Sequence, residues 1–171
     1  MALNEVYLGL GSNLGDPVGN IEKAIAMLRQ LSRSLEMSRL YRTTPQGFRN
    51  QPDFVNAACR IWTDLDPFHL LEAALQIEQT VGRRRTFINA PRALDIDLLM
   101  YGNQVLQGPP LTLPHPRMHI RSFVLRPLLD LAPGLLHPVM WSTVGKMWEE
   151  ISKSGDLISP VERPAEAKLD R

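Results

Sequence analysis

The stretch APRALDIDLLMY, residues 90–101, places Asp95 and Asp97 inside one of the most apolar runs of the chain. A proline before it and a glycine after it bound a segment of strand length, 94–101, which we predict to be a β-strand. Side chains on a strand alternate between faces, so the two aspartates stand side by side, about 6.6 Å apart at Cα. The same alternation puts Leu94, Ile96, Leu98 and Met100 on one face and Asp95, Asp97, Leu99 and Tyr101 on the other.

The two carboxylates repel each other, and the sequence leaves three ways to relieve the repulsion. At a separation near 4 Å the cost is roughly 4 kcal/mol for an effective dielectric near 20. Water on a half-exposed strand, a shared proton, or a hard cation with oxygen ligands would each reduce it. Beside phosphate groups, the cation that paired carboxylates hold is usually magnesium.

Length and composition indicate a globular chain with a core of its own. With 171 residues and 44% hydrophobic content, the chain can bury about 70% of its unfolded surface. We predict a single domain over residues 1–162 and a polar tail over 163–171. The single cysteine, Cys59, lies in an alternating apolar segment and is expected to be a buried structural thiol.

Charge and targeting signals narrow the expected partners. The net charge of +1 predicts no polyanion partner, so we expect no nucleic acid. The N-terminus lacks a basic region followed by an apolar core, and the apolar runs stay shorter than the roughly 18 residues that span a bilayer. A cytoplasmic monomer that does not contact membranes is the simplest expectation.

Upstream of the aspartates, the chain reads as alternating strands and helices. Two predicted helices each begin with an aspartate N-cap followed by proline, at Asp16 and at Asp66, and Gly82 is a plausible stop for the second. The predicted strands lie at 6–10, 35–41 and 54–62, with a loop at 43–52. The predicted buried stripes are Ile21, Ala24, Ile25, Leu28 and Leu31 in the first helix and Leu70, Leu71, Ala74, Leu75 and Ile77 in the second.

With the aspartate strand included, the order of elements is β-α-β-β-α-β. This order matches the ferredoxin-like arrangement, an α+β fold whose antiparallel-containing sheet carries both helices on one face. The remaining residues form a C-terminal extension. In it we predict a hairpin strand at 104–106, helices at 123–131 and 143–151, and an edge strand at 157–159.

A basic loop leads directly into the aspartate strand. Residues 82–92, GRRRTFINAPR, contain three consecutive arginines from Arg83 onward and then Arg92. Phosphoryl transfer requires such a loop beside paired carboxylates, because magnesium bridges phosphate oxygens while arginines neutralise their charge. A solvated arginine cluster, or arginines paired with the two aspartates, would explain the same residues.

Two further motifs have less specific interpretations. The glycine-rich stretch GLGSNLG, residues 9–15, lacks the Gly-Lys-Ser/Thr of a P-loop and is interpreted as a mobile turn. His115 lies between two prolines, so we expect it on a rigid turn near Arg117, His119 and Arg121. There it is either structural or a contact for an anionic ligand.

Several stretches together resemble the 6-hydroxymethyl-7,8-dihydropterin pyrophosphokinase family, enzymes of folate biosynthesis. The resemblance covers residues 4–135 in the expected order, and its most specific part combines Pro-Arg-x-Leu-Asp-x-Asp with Pro-His-Pro-Arg-Met. The stretches concerned are GLGSNLGD at 9–16, YRTTPQG at 41–47, QPDFVNAA at 51–58, GRRR at 82–85, PRALDIDLLMYG at 91–102 and LPHPRMHIRSFVLRPLLDLAP at 113–133.

The resemblance implies a reaction, cofactors and a fold. Members of the family transfer the β,γ-pyrophosphoryl group of ATP to the hydroxymethyl group of the pterin and release AMP. Their ferredoxin-like core is an αβα sandwich that holds two magnesium ions, here on Asp95 and Asp97. Because the substrate hydroxyl attacks, positioning and charge neutralisation would supply most of the catalysis.

The same resemblance implies roles for individual residues. As catalytic residues, Arg83 and Arg92 would clamp the phosphates beside Asp95 and Asp97. ATP would also contact Glu78, Arg85, Thr112, His115 and Arg121. The pterin would stack between Phe54 and Phe123, while its hydrogen-bonding edge would be read by Asn56 and by Thr43, Thr44, Pro45 and Gln46.

The sequence departs from the family pattern at a few positions. Many members carry an aromatic residue and Gly-Pro-Arg before the aspartates, where this chain has Asn-Ala-Pro-Arg at 89–92. No stacking role is therefore assigned to Asn89. Phe54 stands where a tyrosine is frequent, which keeps the ring without the hydroxyl. Residues 136–171 are too divergent for any role to be carried over.

Two rival functions fit parts of the pattern. A non-catalytic ferredoxin-like RNA-binding module would explain the fold and the basic loop, but it needs exposed aromatic residues on the central strands. The first strand offers only Tyr7. Another metal-dependent phosphoryl or nucleotidyl transferase would use the same aspartates and would release ADP or pyrophosphate instead of AMP.

Overall fold

The computed structural model describes residues 2–82, 88–155 and 157–162, so the predicted tail at 163–171 lies outside the described residues. The strands are β1 (Asn4–Ser12), β2 (Ser34–Met37), β3 (Tyr41–Thr43), β4 (Phe54–Thr63), β5 (Asp95–Tyr101) and β6 (Ile158–Pro160). The helices are α1 (Pro17–Gln30), α2 (Pro67–Val81), α3 (Ser122–Leu131) and α4 (Val144–Ile151), with 3₁₀ turns at Met118–Ile120 and Ser152–Ser154.

One antiparallel sheet joins all six strands. Its main path runs β5-β1-β4-β3-β6, and β2 also pairs with β4 beyond the end of β3. The strand order along the chain confirms the predicted βαββαβ core, with the predicted second strand divided into β2 and β3. β1 and β4 pair over the full length of β1, so the middle of the sheet is the most extensively bonded part of the fold.

Local capping chemistry determines where α1 and α2 begin. The Asp16 side chain accepts a hydrogen bond from Gly19 N at 3.1 Å, and the Asp66 side chain accepts bonds from Phe68 N and His69 N. These contacts satisfy backbone donors that a first helical turn leaves unpaired. Both predicted starts are confirmed. Across the described parts of the chain, no helix combines the length and the apolarity needed to cross a membrane.

Helices cover both faces of the sheet, which confirms the predicted αβα sandwich. On one face α1 and α2 pack over a continuous apolar cluster that includes Leu8, Ile61 and Leu70. On the other face α3 and α4 pack over a second cluster that includes Tyr7 and Leu125. Cys59 is fully buried in the first cluster, as predicted, and burial raises the pKa of its thiol to about 12.

The predicted strand at 35–41 was wrong as a continuous element. Ser38 interrupts it: its N–H donates to Ala58 O at 2.9 Å, and its hydroxyl accepts from Ala58 N at 2.9 Å. The serine side chain thus takes a bond that a ladder partner would otherwise make, and this competition is typical of serine. The break separates β2 from β3 and lets β3 lie beside both β4 and β6.

A β-bulge in β5 changes the face of its last two residues. β1 pairs Leu8 with Leu98 but Tyr7 with Met100, so Leu99 is an extra residue on β5. The predicted alternation therefore holds through Leu99 and fails at Met100 and Tyr101. Met100 joins the cluster under α3, whereas Tyr101 joins the cluster under α1 and α2.

Two smaller predictions were also wrong. Leu75 is 46% exposed because it lies five positions after Leu70, about 140° around the helix at 100° per residue. The predicted hairpin strand at 104–106 is reduced to an isolated bridge between Leu106 and Leu113. Gly102 still makes the expected turn, with φ of 52°.

Candidate active site

The two aspartates face glycines on the neighbouring strand. β5 pairs with β1 so that Asp95 lies opposite Gly11 and Asp97 opposite Gly9. Because glycine has no side chain, the sheet surface beside the carboxylates stays open. A cavity of about 300 Å³ lies there, lined by both aspartates and both glycines. Its volume is at the lower end of the range for small-molecule sites.

Asn56 on β4 occupies the space that Gly11 leaves. The two residues are paired across the strands, and a Cβ built on Gly11 would lie 2.8 Å from Asn56 Oδ1. Asn56 is buried, and its Nδ2 donates to Thr43 Oγ1 at 2.6 Å. Thr43 therefore sets the direction of the amide, which keeps a second N–H for another partner.

Arg92 connects one aspartate to one aromatic ring. Its Nη1 lies 2.7 Å from Asp95 Oδ2, and its guanidinium carbon lies 5.9 Å from the centroid of the Phe54 ring. The pairing of an arginine with an aspartate, left open as an alternative by the sequence, is present at this position. All three side chains line the cavity, so the ion pair belongs to the site.

Arg121 connects the second aspartate to the second aromatic ring in the same way. Its Nη1 lies 4.0 Å from Asp97 Oδ2, and its guanidinium carbon lies 5.5 Å from the Phe123 ring centroid. Arg121 immediately precedes α3 and Phe123 lies in the first turn of that helix. Burial lowers the pKa of Arg121, which indicates a guanidinium held where little water reaches it.

The electrostatics around Asp97 favour a bound cation. Burial, followed by the charge of Asp95, raises the pKa of Asp97 to about 6. Among the described residues, no group of three or more His, Cys, Asp or Glu side chains gathers as a metal cage. Two carboxylates with room for further oxygen ligands suit magnesium, which is commonly held by one or two carboxylates and by substrate phosphates.

The structure brings most of the predicted site residues around this one cavity. Its lining includes Thr43, Thr44, Gln46, Phe54, Asn56, Arg92, Asp95, Asp97, Arg121 and Phe123. Pro45, Glu78, Thr112 and His115 do not line it. Arg83 and Arg85 lie outside the described residues.

Glu78 supports the aspartate strand from below the cavity. It is 2% exposed, and its Oε1 accepts a hydrogen bond from Ile96 N at 2.8 Å. Ile96 lies between the two aspartates, so this bond fixes the backbone that carries both. The negative charge of Glu78 also contributes to the raised pKa of Asp97.

His115 sits beside β5 at the end of the site. Its backbone N donates to Leu99 O at 2.8 Å, and its Nδ1 accepts from Arg117 N at 3.1 Å. Burial, with smaller contributions from Arg121 and Arg117, lowers the pKa of the ring to about 4. At neutral pH the ring is therefore uncharged, with Nδ1 as an acceptor.

Some cavity residues were missed by sequence reasoning. The stretch interpreted as a mobile turn is partly strand, because β1 continues through Gly9 and Gly11 to Ser12. Two glycines inside a strand were a usable signal, since they often mark close approach of a ligand. The other lining residues without a predicted role are Gly47, Asn89, Arg117 and Ile120, together with Leu10, Ala57 and Val124.

Asn13 and Gln51 join three separate loops at the edge of the cavity. Asn13 Nδ2 donates to Gln51 Oε1 at 2.7 Å, and Asn13 Oδ1 accepts from Arg92 N at 2.8 Å. Gln51 Nε2 donates to Asn89 O at 2.9 Å. These bonds span 38 and 79 positions of sequence, so no local pattern could have predicted them.

The chain is similar to known proteins over most of its length. The model of the 7,8-dihydro-6-hydroxymethylpterin-pyrophosphokinase (HPPK) family matches residues 7–133. The chain is 42% identical over 134 residues to a 2-amino-4-hydroxy-6-hydroxymethyldihydropteridine pyrophosphokinase of Haemophilus influenzae, covering 77% of this chain and 84% of that protein.

Longer proteins contain the same type of domain. The chain is 40% identical over 154 residues to the folic acid synthesis protein FOL1 of Dictyostelium discoideum, covering 90% of this chain but 23% of that protein. A crystal structure of Plasmodium falciparum HPPK-DHPS with pteroate superposes with a TM-score of 0.70 at 15% identity, over 86% of this chain and 42% of that one. The chain thus spans less than half the length of these two proteins.

Proposed function

The chain belongs to the 7,8-dihydro-6-hydroxymethylpterin-pyrophosphokinase family, and from that premise we propose its reaction. It transfers the pyrophosphoryl group of ATP to the hydroxymethyl group of 6-hydroxymethyl-7,8-dihydropterin and releases AMP, a step of folate biosynthesis. The observation that carries the proposal is a single cavity in which two aspartates, three arginines and two phenylalanines converge.

The aromatic part of this cavity suits a flat bicyclic substrate. Phe54 on β4 and Phe123 on α3 both line it, and stacking between such rings gives area without rotatable bonds. Asn56, oriented by Thr43, offers an amide to the hydrogen-bonding edge of the pterin. Thr44, Pro45 and Gln46 continue the same wall in the proposal, with Thr44 and Gln46 lining the cavity directly.

The charged part of the cavity suits the triphosphate. Asp95 and Asp97 would hold two magnesium ions, whose positive charge would neutralise the phosphates. Arg92 and Arg121 each lie within 4.0 Å of one of these aspartates, so they are placed to contact phosphates at the same position. Arg83, Arg85, Glu78, Thr112 and His115 remain proposed ATP contacts on the family resemblance.

The contacts of Arg92 and Arg121 explain how the two substrates would lie relative to each other. Each arginine lies against both a ring and a carboxylate, so the pterin slot and the phosphate site share a boundary. A hydroxymethyl group on the edge of the stacked pterin would point to that boundary. Its oxygen attacks the β-phosphorus and its proton is released to solvent, while the bond that breaks joins this phosphorus to the oxygen that leaves with AMP. Positioning and charge neutralisation are sufficient roles for the protein.

One structural observation weighs against the RNA-binding alternative. Tyr7, the aromatic residue that the alternative would place on an exposed central strand, is 3% exposed and packs under α3 and α4. An RNA-binding sheet needs its aromatic rings open for stacking on bases. The transferase alternatives differ from the proposal in product and are separated by experiment.

The proposal is tested by following phosphorus resonances of the purified chain mixed with magnesium, ATP and 6-hydroxymethyl-7,8-dihydropterin. We expect AMP and a pterin diphosphate in equal amounts, and neither product with the Asp97→Ala variant. ADP would indicate single phosphoryl transfer, and free pyrophosphate would indicate nucleotidyl transfer. Circular dichroism on the variant distinguishes loss of chemistry from loss of fold.

The number of metal ions and the size of the active unit need separate measurements. Titration of the protein with manganese in the presence of a non-hydrolysable ATP analogue should give two bound ions by electron paramagnetic resonance. We propose a monomer as the active unit. Sedimentation velocity at assay concentrations tests this point.

A further inference from the structure

Asn89 has an unusual backbone conformation at the edge of the cavity. Its φ is 58°, in the left-handed region where residues other than glycine are uncommon and asparagine is among the best tolerated. The residue is exposed and still lines the cavity, opposite Gly47. Gly47 also has a positive φ, of 78°. Two turns that need special backbone angles therefore meet at one wall of the site.

The side chain of Asn89 packs directly on the backbone of Gly47. A Cβ built on Gly47 would lie 2.5 Å from Asn89 Nδ2, 3.1 Å from its Cγ and 3.4 Å from its Cβ. Contacts below 3.0 Å do not occur for real Cβ atoms, so the carboxamide occupies the space that any other residue at position 47 would need. The two residues are complementary in shape.

The backbone of the Asn89 segment is fixed independently of this contact. Gln51 Nε2 donates to Asn89 O at 2.9 Å. Three residues later, Arg92 N donates to Asn13 Oδ1, and Arg92 O accepts from Asn13 N at 2.9 Å and Leu14 N at 3.2 Å. The Arg92 side chain is held by Asp95. The segment that carries Asn89 is thus anchored to β1 and β5.

The segment that carries Gly47 contains the proposed pterin contacts. Thr44 and Gln46 line the cavity just before it. The three heavy atoms nearest to a Cβ built on Gly47 all belong to the Asn89 side chain. A mobile wall at this position would weaken the contacts that the pterin edge requires, because ordering the loop on binding costs free energy.

We propose that Asn89 is a positioning residue whose carboxamide, packed on Gly47, holds the pterin-binding segment 44–47 against the anchored segment 88–92. The inference rests on the proposed function. It assigns to this chain a packing contact of the Asn89 side chain on Gly47. Because Arg92 is anchored by other bonds, the contribution of Asn89 falls on the pterin rather than on ATP.

The first test replaces Asn89 with glycine, which keeps the backbone angle and removes the carboxamide. We expect Asn89→Gly to raise the KM for the pterin about fivefold, the size expected for one lost side-chain packing contact. The KM for ATP and kcat should change by less than about twofold. Asn103→Gly is the matched control, since Asn103 is an exposed turn residue at the far end of β5, outside the site. It should leave all three constants unchanged.

The second test is a double-mutant cycle with Gly47→Ala. In the wild-type background the new methyl group displaces the Asn89 carboxamide, whereas in the Asn89→Gly background that space is open. The strain of alanine at a positive φ is present in both backgrounds and cancels in the cycle. Gly47→Ala should raise the pterin KM in both backgrounds. We expect the fold increase to be about three times larger in the wild-type background than in the Asn89→Gly background.

The outcomes separate this inference from the proposed function. If wild-type protein forms AMP and Asn89→Gly retains the wild-type pterin KM, the inference is overturned and the proposed function stands. Equal effects of Gly47→Ala in the two backgrounds would overturn it as well. If the wild-type protein forms no AMP from the pterin, both fail. A rise in the pterin KM alone, with coupling between positions 47 and 89, supports the inference.

Discussion

The sheet face under α1 and α2 is a continuous apolar core, whereas the face under α3 and α4 divides its area between a smaller core and the cavity. On the first face, Leu8, Ile61 and Leu70 are fully buried. On the second, β1 presents Gly9 and Gly11, and β5 presents Asp95 and Asp97. The same strands therefore pack into an apolar core on one side and form an open, charged surface on the other.

The difference shows where this protein gives up stability for binding. Glycine inside a strand costs roughly 0.5–1 kcal/mol relative to alanine. Burial of Asp97 raises its pKa, so the ionised side chain disfavours the folded protein at neutral pH. Changes on the cavity face should thus affect function first, and changes on the other face should affect stability first.

Asp97→Asn, on the cavity face, should give the largest functional effect. We expect kcat to fall by at least about 10²-fold, because the variant loses one of the two charges proposed to hold magnesium. The apoprotein should melt about 2–4 °C higher at pH 8, since a neutral amide replaces an unfavourable buried charge. Steady-state kinetics and thermal melting without metal check both parts. A lower melting temperature would contradict the comparison.

Ile61→Ala tests the opposite face. Ile61 is fully buried between β4 and the helices, and its truncation should lower the free energy of unfolding by about 3 kcal/mol. Urea denaturation measures this loss. In the folded variant, both KM values should match those of the wild type. A changed pterin KM would show that the two faces are energetically coupled.

Gly11→Ala tests the open surface beside the aspartates. The added Cβ would lie 2.8 Å from Asn56 Oδ1, so Asn56 has to move away from the position set by Thr43. We expect the pterin KM to rise about tenfold with the ATP KM unchanged. The control is Gly134→Ala, because a Cβ at Gly134 meets no atom within 4 Å. Similar kinetics for the two variants would argue against a substrate contact at Asn56.

The smallest effect expected is a pH dependence from His115. Its pKa is lowered from 6.5 to about 4, so between these values the unfolded chain binds a proton that the folded protein does not. The contribution of His115 to the free energy of unfolding is complete above pH 6.5 and is lost as the pH falls toward about 4. Because the ring is partly exposed, we expect a loss of about 1 kcal/mol at pH 5 after allowance for solvent screening.

Comparison with His115→Gln isolates this contribution. The difference in unfolding free energy between the two proteins should shrink or change sign in favour of the variant as the pH falls from 7 to about 5. Asp97 acts in the opposite direction, since its raised pKa favours the folded protein as the pH falls, and it is present in both proteins. A pH-independent difference in urea denaturation would rule out the histidine as the source.

Features that depend on neighbouring residues were predicted well. The helix starts at Asp16 and Asp66 follow from capping bonds made within three residues. The apolar face of β4, with Val55, Ala57 and Cys59 in the core, follows from strand periodicity. The aspartate pair was apparent as a conflict between a polar residue type and an apolar strand, which is a common mark of a site.

Features that depend on distant partners were not predictable in the same way. The bulge at Leu99 arises from how β5 pairs with β1, and the Ser38 interruption depends on Ala58 in another strand. The bonds of Asn13 and Gln51 join loops that lie far apart in the sequence. The family resemblance supplied residue roles that periodicity and composition could not, and these roles remain proposals.

The bond between Glu78 and Ile96 also has a consequence for self-association. β5 is a terminal strand of the sheet path, and a strand in that place normally offers free backbone groups to a strand of another molecule. Here the Ile96 N–H is taken by a carboxylate, and the Leu99 carbonyl is taken by His115 N. The row of free backbone groups through which two sheets could pair edge to edge is therefore interrupted along the strand that carries the two aspartates. Concentrated or refolding protein would have to aggregate through another edge.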